Sequence, residues 1–327
     1  MSDAPILVTG AAGFIGSHVS SALIARGLRV VGIDNFDPMY SPHIKRSNLL
    51  ALERGVGNRR ELFRFLEADI ADNAAVKQMF ELFRPSGVIH LAARAGVRPS
   101  IADPVGYTRS NIVATTNILA AAADHQATGC SRVVIASSSS VYGNSQAVPF
   151  NEDADVSQPI SPYAATKRAC ELLGFTHWHL TRQPVAMLRF FTVYGPRQRP
   201  DLAIHKFLSK VSAGEQIEMF GNGDTSRDYT YVDDIVAGVL GAYERVPAHG
   251  YRIWNLGSDR PIKLNDLIAA VGRTVGQAPR IIHKPMQVGD VEHTWADISR
   301  SHRELAYRPM TGLEAGLKAQ WNWMKEQ

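Results

Sequence analysis

The clearest indication of a catalytic site in the sequence is a tyrosine and a lysine four residues apart. Tyr163 and Lys167 lie in the stretch 161–173, which reads SPYAATKRACELL. Ser161 suits the N-cap of a helix and Pro162 suits its first position, so the two side chains are predicted one turn apart on the same face. A free tyrosine has a pKa of about 10, so a phenolate near pH 7 needs roughly 4 kcal/mol of stabilisation, part of which a lysine ammonium can supply. Taken alone, the spacing is common and is more typical of an ordinary helix start with a surface lysine.

A glycine-rich turn near the N-terminus predicts a site for a diphosphate. A short apolar strand at 6–9 leads into Gly10, Gly13 and Gly16, and a helical pattern follows. A turn of this kind leaves backbone N–H groups at a helix N-terminus facing the diphosphate, while the glycines permit close approach of the ligand.

The residue that ends the next predicted strand indicates which dinucleotide binds. Asp34 follows the strand at 29–33, and a carboxylate there can accept both hydroxyls of an adenine ribose. The same carboxylate would repel a 2′-phosphate, and neither Asn35 nor Phe36 offers a cation to hold one. The turn and the acid therefore predict NAD in preference to NADP.

Alternating strand and helix patterns predict the fold class. Further apolar strands are expected at 62–66, 87–93 and 132–136, with helices between them, including a long helix from Asp103 to His125 that carries Asn111. Unbroken apolar strands between helices imply an α/β fold with a doubly wound parallel sheet, the Rossmann fold, in which ligands bind at the carboxyl ends of the strands. The residues predicted to contact NAD are Gly10, Gly13, Phe14, Ile15, Gly16, Asp34, Asn35, Asp69, Ile70, Leu91, Ala92, Ala93, Tyr163 and Lys167.

A run of four serines at 137–140 follows the strand at 132–136. At the carboxyl end of a strand these hydroxyls are placed where a substrate would bind. The run is equally typical of a turn in which serines bond to the neighbouring backbone.

The glycine turn, Asp34, the serine run and the pair Tyr163 and Lys167, in this order and spacing, resemble the extended short-chain dehydrogenase/reductase family. The likeness is closest to its nucleotide-sugar 4-epimerases, and it extends through the segments 188–196 (LRFFTVYGP) and 227–234 (RDYTYVDD) to nearly the whole chain. The resemblance implies that Ser138 joins the tyrosine and the lysine as a catalytic residue. Tyr163 would then be the base that removes the proton of the sugar 4-hydroxyl while the hydride passes to NAD⁺.

The three residues before Val141 separate the reactions of related enzymes. Related 4,6-dehydratases carry Thr-Asp-Glu there, and related decarboxylases carry a glutamate just before the valine, whereas this chain has Ser138, Ser139 and Ser140. Because no acid is present to run an elimination, simple oxidation and re-reduction is favoured.

The resemblance also implies two interleaved lobes. The NAD-binding domain is expected at 1–191 with 229–258, and a smaller UDP-sugar-binding lobe at 192–228 with 259–327. In that lobe Glu218 and Phe220 would flank the uracil, and Arg227 would pair with the diphosphate, since a guanidinium suits two phosphate oxygens.

Several stretches look most like UDP-glucuronate 4-epimerases, namely 34–36, 95–100, 192–196 and 286–290. In that subfamily Thr192 and Arg199 would lie near the sugar carboxylate, and a bidentate arginine there would favour an anionic hexuronate. Arg98 is a second candidate, or else braces its own loop. Gln287 stands where UDP-glucose epimerases often have an arginine. The residues predicted to contact the substrate are Arg98, Ser139, Ser140, Thr192, Arg199, Glu218, Phe220, Arg227, Gln287 and Asp290.

Bulk composition narrows the class of protein. The chain has 327 residues, 45% of them apolar, a net charge of +4 and a pI near 9.1, and its basic residues are scattered. These values predict a folded protein with a full core and disfavour nucleic acid as a partner. Two cysteines without a disulfide framework, and no apolar stretch that could span a bilayer, predict a soluble cytoplasmic protein that binds no membrane. No metal site is predicted.

The function predicted from these features is a UDP-glucuronate 4-epimerase that uses tightly bound NAD, acts on a UDP-sugar and forms a homodimer through its long helices. A UDP-glucose or UDP-N-acetylhexosamine 4-epimerase remains open, because it would share every catalytic residue. From another class, a non-catalytic NAD-sensing protein of the same fold also remains open.

Overall fold

The computed structural model describes residues 4–285 and 291–327. The strands are β1 (Ile6–Thr9), β2 (Val30–Asp34), β3 (Phe63–Glu67), β4 (Gly87–His90), β5 (Val133–Ser138), β6 (Val185–Phe190), β7 (Thr192–Tyr194), β8 (Gln216–Phe220), β9 (Ser226–Tyr231), β10 (Tyr251–Leu256), β11 (Pro261–Lys263) and β12 (Arg280–Lys284). The helices are α1 (Phe14–Ala25), α2 (Pro42–Val56), α3 (Asn73–Phe83), α4 (Val97–Ala102), α5 (Pro104–Tyr107), α6 (Ala114–Asp124), α7 (Pro162–Thr181), α8 (Ala203–Ser212), α9 (Val232–Arg245), α10 (Leu264–Val275), α11 (Ser299–Leu305) and α12 (Leu313–Lys325).

Seven parallel strands form the central sheet, in the order β10-β6-β5-β4-β1-β2-β3. The chain runs outward from β1 to β2 and β3, and then returns to the other side of β1 with β4. Between β1 and β4 the order therefore reverses, which is where doubly wound sheets open a crevice for a ligand. The predicted α/β fold class is confirmed.

Alternation along the strands divides the core between the two faces of this sheet. In β1, Ile6 and Val8 pack into a cluster with residues of α1, α2 and α9, while Leu7 packs into a second cluster with residues of α3, α6 and α7. Since both faces are covered by helices, the inner strands β1, β2, β4, β5 and β6 are buried along their whole length, as in parallel sheets generally.

A third apolar cluster is formed by α8, α10 and α12 with β8 and β9. Two small sheets accompany it, one in the order β11-β9-β7 and one that pairs β12 with β8. The chain returns from this region to the central sheet with β10, which pairs with β6.

The helix predicted from Asp103 to His125 runs from Pro104 to Asp124 with helical backbone angles at both internal junctions, but its central part is π-helical. A π-helical segment, Thr108–Val113, separates α5 from α6. The side chain of Asn111 within it accepts a hydrogen bond from Arg94 N (2.9 Å) and donates to Arg94 O (3.0 Å) and to Thr166 Oγ1 (2.9 Å). π-Bulges of this kind are frequent at functional sites, and this one turns a buried amide toward a loop and a neighbouring helix.

None of the helices in the described ranges, 4–285 and 291–327, is long and apolar enough to cross a membrane.

Candidate active site

A cavity of about 410 Å³ opens at the carboxyl ends of the central strands. Its volume lies within the range of small-molecule sites, and its place is the one expected for a ligand in a doubly wound sheet. Every residue predicted to contact the cofactor lines it, together with Ser138, Ser139, Ser140, Thr192 and Arg199. The structure therefore brings the predicted catalytic residues and the predicted dinucleotide site into one space.

The glycine turn presents the N-terminus of α1 to this cavity. Gly13 is the N-cap, and the first turn of the helix contains no acidic residue. Gly10 has a φ of +71°, and a Cβ at Gly16 would lie 2.0 Å from the carbonyl oxygen of Gly10. The turn itself thus requires glycine at both positions. The helix N-terminus it exposes suits an anionic diphosphate.

Asp34 has a cationic neighbour that the sequence pattern did not indicate. Its buried carboxylate accepts a hydrogen bond from Phe36 N (2.8 Å) and lies 3.5 Å from Nζ of Lys45, which belongs to α2 and is also buried. Lys45 lines the cavity as well. Positions 35 and 36 carry no cation, but helix α2 places Lys45 beside Asp34 at the end of β2.

Tyr163 and Lys167 adopt the predicted arrangement at the start of α7. Ser161 is the N-cap and accepts a hydrogen bond from Ala164 N (3.1 Å), with Pro162 at the first helical position. Both side chains are buried and line the cavity. Nζ of Lys167 donates to the carbonyl oxygen of Ala136 (2.7 Å). The ammonium is thereby anchored to the end of β5.

Burial dominates the ionisation of the pair. It raises the pKa of Tyr163, while the hydrogen bond from Ser138 and the positive charge of Arg199 act in the opposite direction. Burial also lowers the pKa of Lys167, against which the Glu171 carboxylate favours the ammonium. In the protein by itself Tyr163 is a neutral phenol, so a catalytic phenolate requires further positive charge in the cavity.

A buried ion pair lies below the tyrosine and lysine on the same helix. Glu171, one turn after Lys167, accepts two hydrogen bonds from Arg189 of β6 (2.8 and 3.0 Å) and one from Ser137 Oγ (2.7 Å). The side chain of Arg189 is only 1% exposed and that of Glu171 is fully buried, so the two charges satisfy each other away from water. The pair links β5, β6 and α7 beneath the cavity.

The serine run forms a turn as well as a cavity wall. Ser138 Oγ accepts a hydrogen bond from Ser140 N (3.1 Å) and donates to Ser140 Oγ (3.1 Å). It also hydrogen-bonds the phenol of Tyr163. The Ser138 hydroxyl therefore belongs both to a turn and to the wall of the cavity.

Arg199 reaches the cavity already paired. Its guanidinium donates to both carboxylate oxygens of Asp201 (3.0 and 2.6 Å) and to the carbonyl oxygen of Ala95 (3.2 Å). Asp201 also lines the cavity, and so do Tyr40 and Arg94. The sequence offered no pattern for these residues, because each belongs to a loop without periodicity.

The other predicted substrate residues lie elsewhere. Arg98, Glu218, Phe220 and Arg227 do not belong to the cavity wall; the Arg98 guanidinium lies 5.3 Å from the ring centre of Phe220, and Glu218 lies 3.8 Å from Lys284 Nζ. The assignment of Glu218, Phe220 and Arg227 to the UDP group, and of Arg98 to the sugar carboxylate, stays a prediction. Gln287 and Asp290 lie outside the described residues. Among residues 4–285 and 291–327 no cluster of potential metal ligands is found.

His90, which the sequence suggested was structural, is buried and hydrogen-bonds Thr9 Oγ1 (2.7 Å) and Thr115 Oγ1 (3.0 Å). Burial lowers its pKa to about 3. It is a neutral core residue.

Comparison with known sequences connects this site to a family. The model of the family described as GDP-mannose 4,6 dehydratase matches residues 7–320. A UDP-glucuronate 4-epimerase of Thermodesulfobacterium geofontis is 41% identical over 98% of this chain and 96% of its own length. UDP-glucuronate 4-epimerase 3 of Arabidopsis thaliana is 42% identical over 97% of this chain and 76% of its own length.

Solved structures give a matching result. The UDP-glucuronic acid 4-epimerase of Bacillus cereus, in complex with UDP-glucuronic acid and NAD, has a TM-score of 0.90 and 34% identity, with 98% of this chain and 99% of that chain covered. The UDP-glucose 4-epimerase of Thermotoga maritima, with UDP-glucose, has a TM-score of 0.88 and 31% identity, with the same coverage.

Proposed function

We propose that this chain, which belongs to the GDP-mannose 4,6 dehydratase family, is an NAD-dependent UDP-glucuronate 4-epimerase that interconverts UDP-glucuronate and UDP-galacturonate. The observation that carries this proposal is the shared cavity of Tyr163, Lys167 and Ser138 with the glycine turn and with Arg199. Relatives 41% and 42% identical, both UDP-glucuronate 4-epimerases, support it.

The acids of the cavity argue against dehydration, the reaction in the family's description. Among the described wall residues the acids are Asp34, Asp37, Asp69 and Asp201, and each has a cationic partner. These partners are Lys45 at 3.5 Å, Arg94 at 2.9 Å, Arg109 at 2.8 Å and Arg199 at 2.6 Å, in that order. Each carboxylate is engaged by a cation, and Ser138, Ser139 and Ser140 stand where related dehydratases carry acids, so oxidation and re-reduction fits better than loss of water.

The residues present fit NAD. The N-terminus of α1 and its glycines form a cradle for the diphosphate, and Asp34 lies at the end of β2 for the adenine ribose. Bound there, NAD⁺ would supply a hydride acceptor, and later a hydride donor, for C4 of the sugar, together with positive charge near Tyr163.

The protein's own residues move the proton and hold the sugar. Tyr163 as phenolate removes the proton of the 4-hydroxyl, and Ser138, hydrogen-bonded to the tyrosine, positions that hydroxyl. Lys167, anchored to Ala136 O, supports the phenolate and holds the nicotinamide ribose. For inversion at C4 the 4-keto sugar would turn in the cavity and present its opposite face, and Tyr163 would give the proton back.

Selectivity for the uronate is assigned to Arg199, with Thr192, Ser139 and Ser140 beside it in the wall. A guanidinium pairs with a carboxylate through two hydrogen bonds, which a neutral hydroxymethyl group cannot match. The existing pair of Arg199 with Asp201 favours one other candidate, a UDP-glucose 4-epimerase, because Asp201 already satisfies the guanidinium.

The deciding experiment is to incubate the purified protein separately with UDP-glucuronate, UDP-glucose and UDP-N-acetylglucosamine and to follow the anomeric signals by NMR. We expect conversion of UDP-glucuronate without net formation of NADH. Tyr163→Phe should lower turnover by at least about 10³-fold, since it removes the base, and should leave UDP-sugar binding nearly unchanged. Conversion of UDP-glucose alone would replace the proposal by the second candidate. Bound NAD without turnover of any UDP-sugar would indicate a non-catalytic NAD-sensing protein.

The larger-scale assignments are proposals of the same kind. Residues 1–191 with 229–258 form the NAD-binding domain, and 192–228 with 259–327 form the UDP-sugar lobe; the return of β10 to the central sheet and the separate third core support this division. We propose a cytoplasmic location, with which two buried cysteines that are both free are consistent. We also propose that the protein is a homodimer.

A further inference from the structure

Tyr40 lines the cavity between its predicted cofactor half, which contains Asp34 and Lys45, and its predicted sugar half, which contains Arg199. It belongs to the loop after β2 and lines the cavity together with Lys45 on the cofactor side and Arg199 on the sugar side. The Lys45 ammonium lies 5.1 Å from the centre of the Tyr40 ring, and the Arg199 guanidinium lies 5.7 Å from it. A cation within about 6 Å of an aromatic ring is attracted to its face. One ring therefore contacts a cation from each half.

The hydroxyl of Tyr40 lies near the phosphate-binding turn. A Cβ at Gly13, the N-cap of α1, would lie 4.0 Å from this oxygen. Burial and the Asp34 carboxylate raise the pKa of Tyr40, so its phenol remains protonated and can donate a hydrogen bond. A protonated hydroxyl beside the N-terminus of a helix is well placed to donate to a bound diphosphate.

The orientation of Arg199 depends on loops other than its own. Its ion pair with Asp201, two residues away, fixes it only within its own segment. The contacts that orient it relative to the cavity come from Ala95 O, in the loop after β4, and from the ring of Tyr40, in the loop after β2. Loss of the ring would leave the ion pair intact but would remove one of these two external supports.

We propose that Tyr40 is a positioning residue that orients Arg199 toward the sugar carboxylate while its hydroxyl contacts the diphosphate of the cofactor. Selectivity for a uronate and retention of the dinucleotide are thus linked through a single side chain. This inference rests on the proposed function, because it takes Arg199 as the ligand of the substrate carboxylate.

Two substitutions separate the two roles. Tyr40→Phe keeps the ring and removes the hydroxyl, whereas Tyr40→Leu removes both. With NAD-saturated protein, calorimetry gives the dissociation constants of UDP-glucuronate and UDP-glucose, and absorbance after desalting gives the fraction of NAD retained. We expect Tyr40→Leu to lower the preference for UDP-glucuronate about tenfold. Tyr40→Phe should keep that preference within about twofold and should retain less NAD than the unsubstituted protein.

A double-mutant cycle with Arg199→Ala tests whether Tyr40 acts through the arginine. If it does, Tyr40→Leu should cause no further loss of preference when Arg199 is already alanine. An equal loss in both backgrounds, or an unchanged preference in Tyr40→Leu, would overturn the proposal. Undiminished NAD retention in Tyr40→Phe would overturn the part that concerns the hydroxyl. If Tyr40→Leu fails to fold, Tyr40→Met provides the same comparison.

The outcome is distinguishable from failure of the proposed function. The NMR assay on the unsubstituted protein decides whether UDP-glucuronate is epimerised, whereas the calorimetric preference, measured in the Tyr163→Phe background so that no substrate is turned over, decides the role of Tyr40.

Discussion

The ionisation of Tyr163 is set by groups from three separate segments. Burial in α7 raises its pKa, while Ser138 at the end of β5 and Arg199 in the loop after β7 lower it. Lys167 lies on the next turn of the helix, where its ammonium is anchored to Ala136 O. A buried phenol stays protonated unless nearby positive charge lowers its pKa by more than burial raises it, and only then can it act as a base.

The contribution of Ser138 predicts a change in pH dependence. Activity carried by a phenolate rises with pH through the pKa of Tyr163, and the hydrogen bond from Ser138 lowers that pKa. Ser138→Ala should therefore shift the rising limb of kcat/KM to higher pH and lower kcat roughly 100-fold at neutral pH. The measurement is the pH–rate profile with the substrate that the NMR assay identifies. Ser138→Thr, which keeps a hydroxyl, is the control, and a limb at the same pH in both variants would contradict the assignment.

At the scale of elements, the loops after β2, β4 and β7 are tied to one another above the cavity. Arg94, after β4, pairs with Asp37, after β2 (2.9 Å), and Arg199, after β7, donates to Ala95 O (3.2 Å). The π-helical segment adds a further tie, because Asn111 bonds both backbone groups of Arg94. The carboxyl ends of parallel strands bring these loops together although they are far apart in sequence.

The turn before α1 yields a prediction about stability. A Cβ at Gly16 would overlap the carbonyl of Gly10 at 2.0 Å, and a backbone atom cannot move away cheaply. Gly16→Ala should therefore reduce the free energy of unfolding by about 3 kcal/mol or more and abolish retention of NAD. Urea denaturation and absorbance of the desalted protein measure the two effects.

Gly55 in α2 is the matched control for this substitution. A Cβ there meets no atom within 4 Å, so Gly55→Ala should leave NAD retention unchanged and stabilise the helix by about 0.5–1 kcal/mol. Equal effects of the two substitutions would show that the close approach at Gly16 is unimportant.

At the scale of the whole molecule, exposed apolar side chains lie on adjacent helical segments. Val105 on α5 is 79% exposed, Val113 at the end of the π-helical segment 41%, and Leu172 on α7 53%. Exposed apolar groups on adjacent helices suit the pairing of two copies across a two-fold axis. The proposed homodimer would bury these side chains.

Leu172→Glu should convert the dimer to a monomer, because it places a charge within an apolar contact between the copies. Sedimentation velocity at micromolar concentration measures the change. Met310→Glu alters a side chain that is 79% exposed outside the helices and should leave the dimer intact. A monomeric unsubstituted protein, or an unchanged sedimentation coefficient for Leu172→Glu, would rule out this interface.

What the sequence determined by itself were the features that depend on local spacing. Each of these features depends on residues that lie close together in the sequence, and the structure has each of them. They are the alternation of strands and helices, the glycine turn, Asp34 at a strand end and the helix start around Tyr163. The resemblance to nucleotide-sugar epimerases rested on the same local motifs, and the relatives found by comparison are consistent with it.

Only the tertiary structure decided which side chains meet across the cavity. Lys45 returns from a helix to Asp34, Tyr40 contacts Arg199 from another loop, and Glu171 finds Arg189 on a neighbouring strand. Such contacts have no period in the sequence, because they depend on the order of strands in the sheet and on the path of each loop. The local pattern predicts the base, and the packing of distant segments decides the charge that surrounds it.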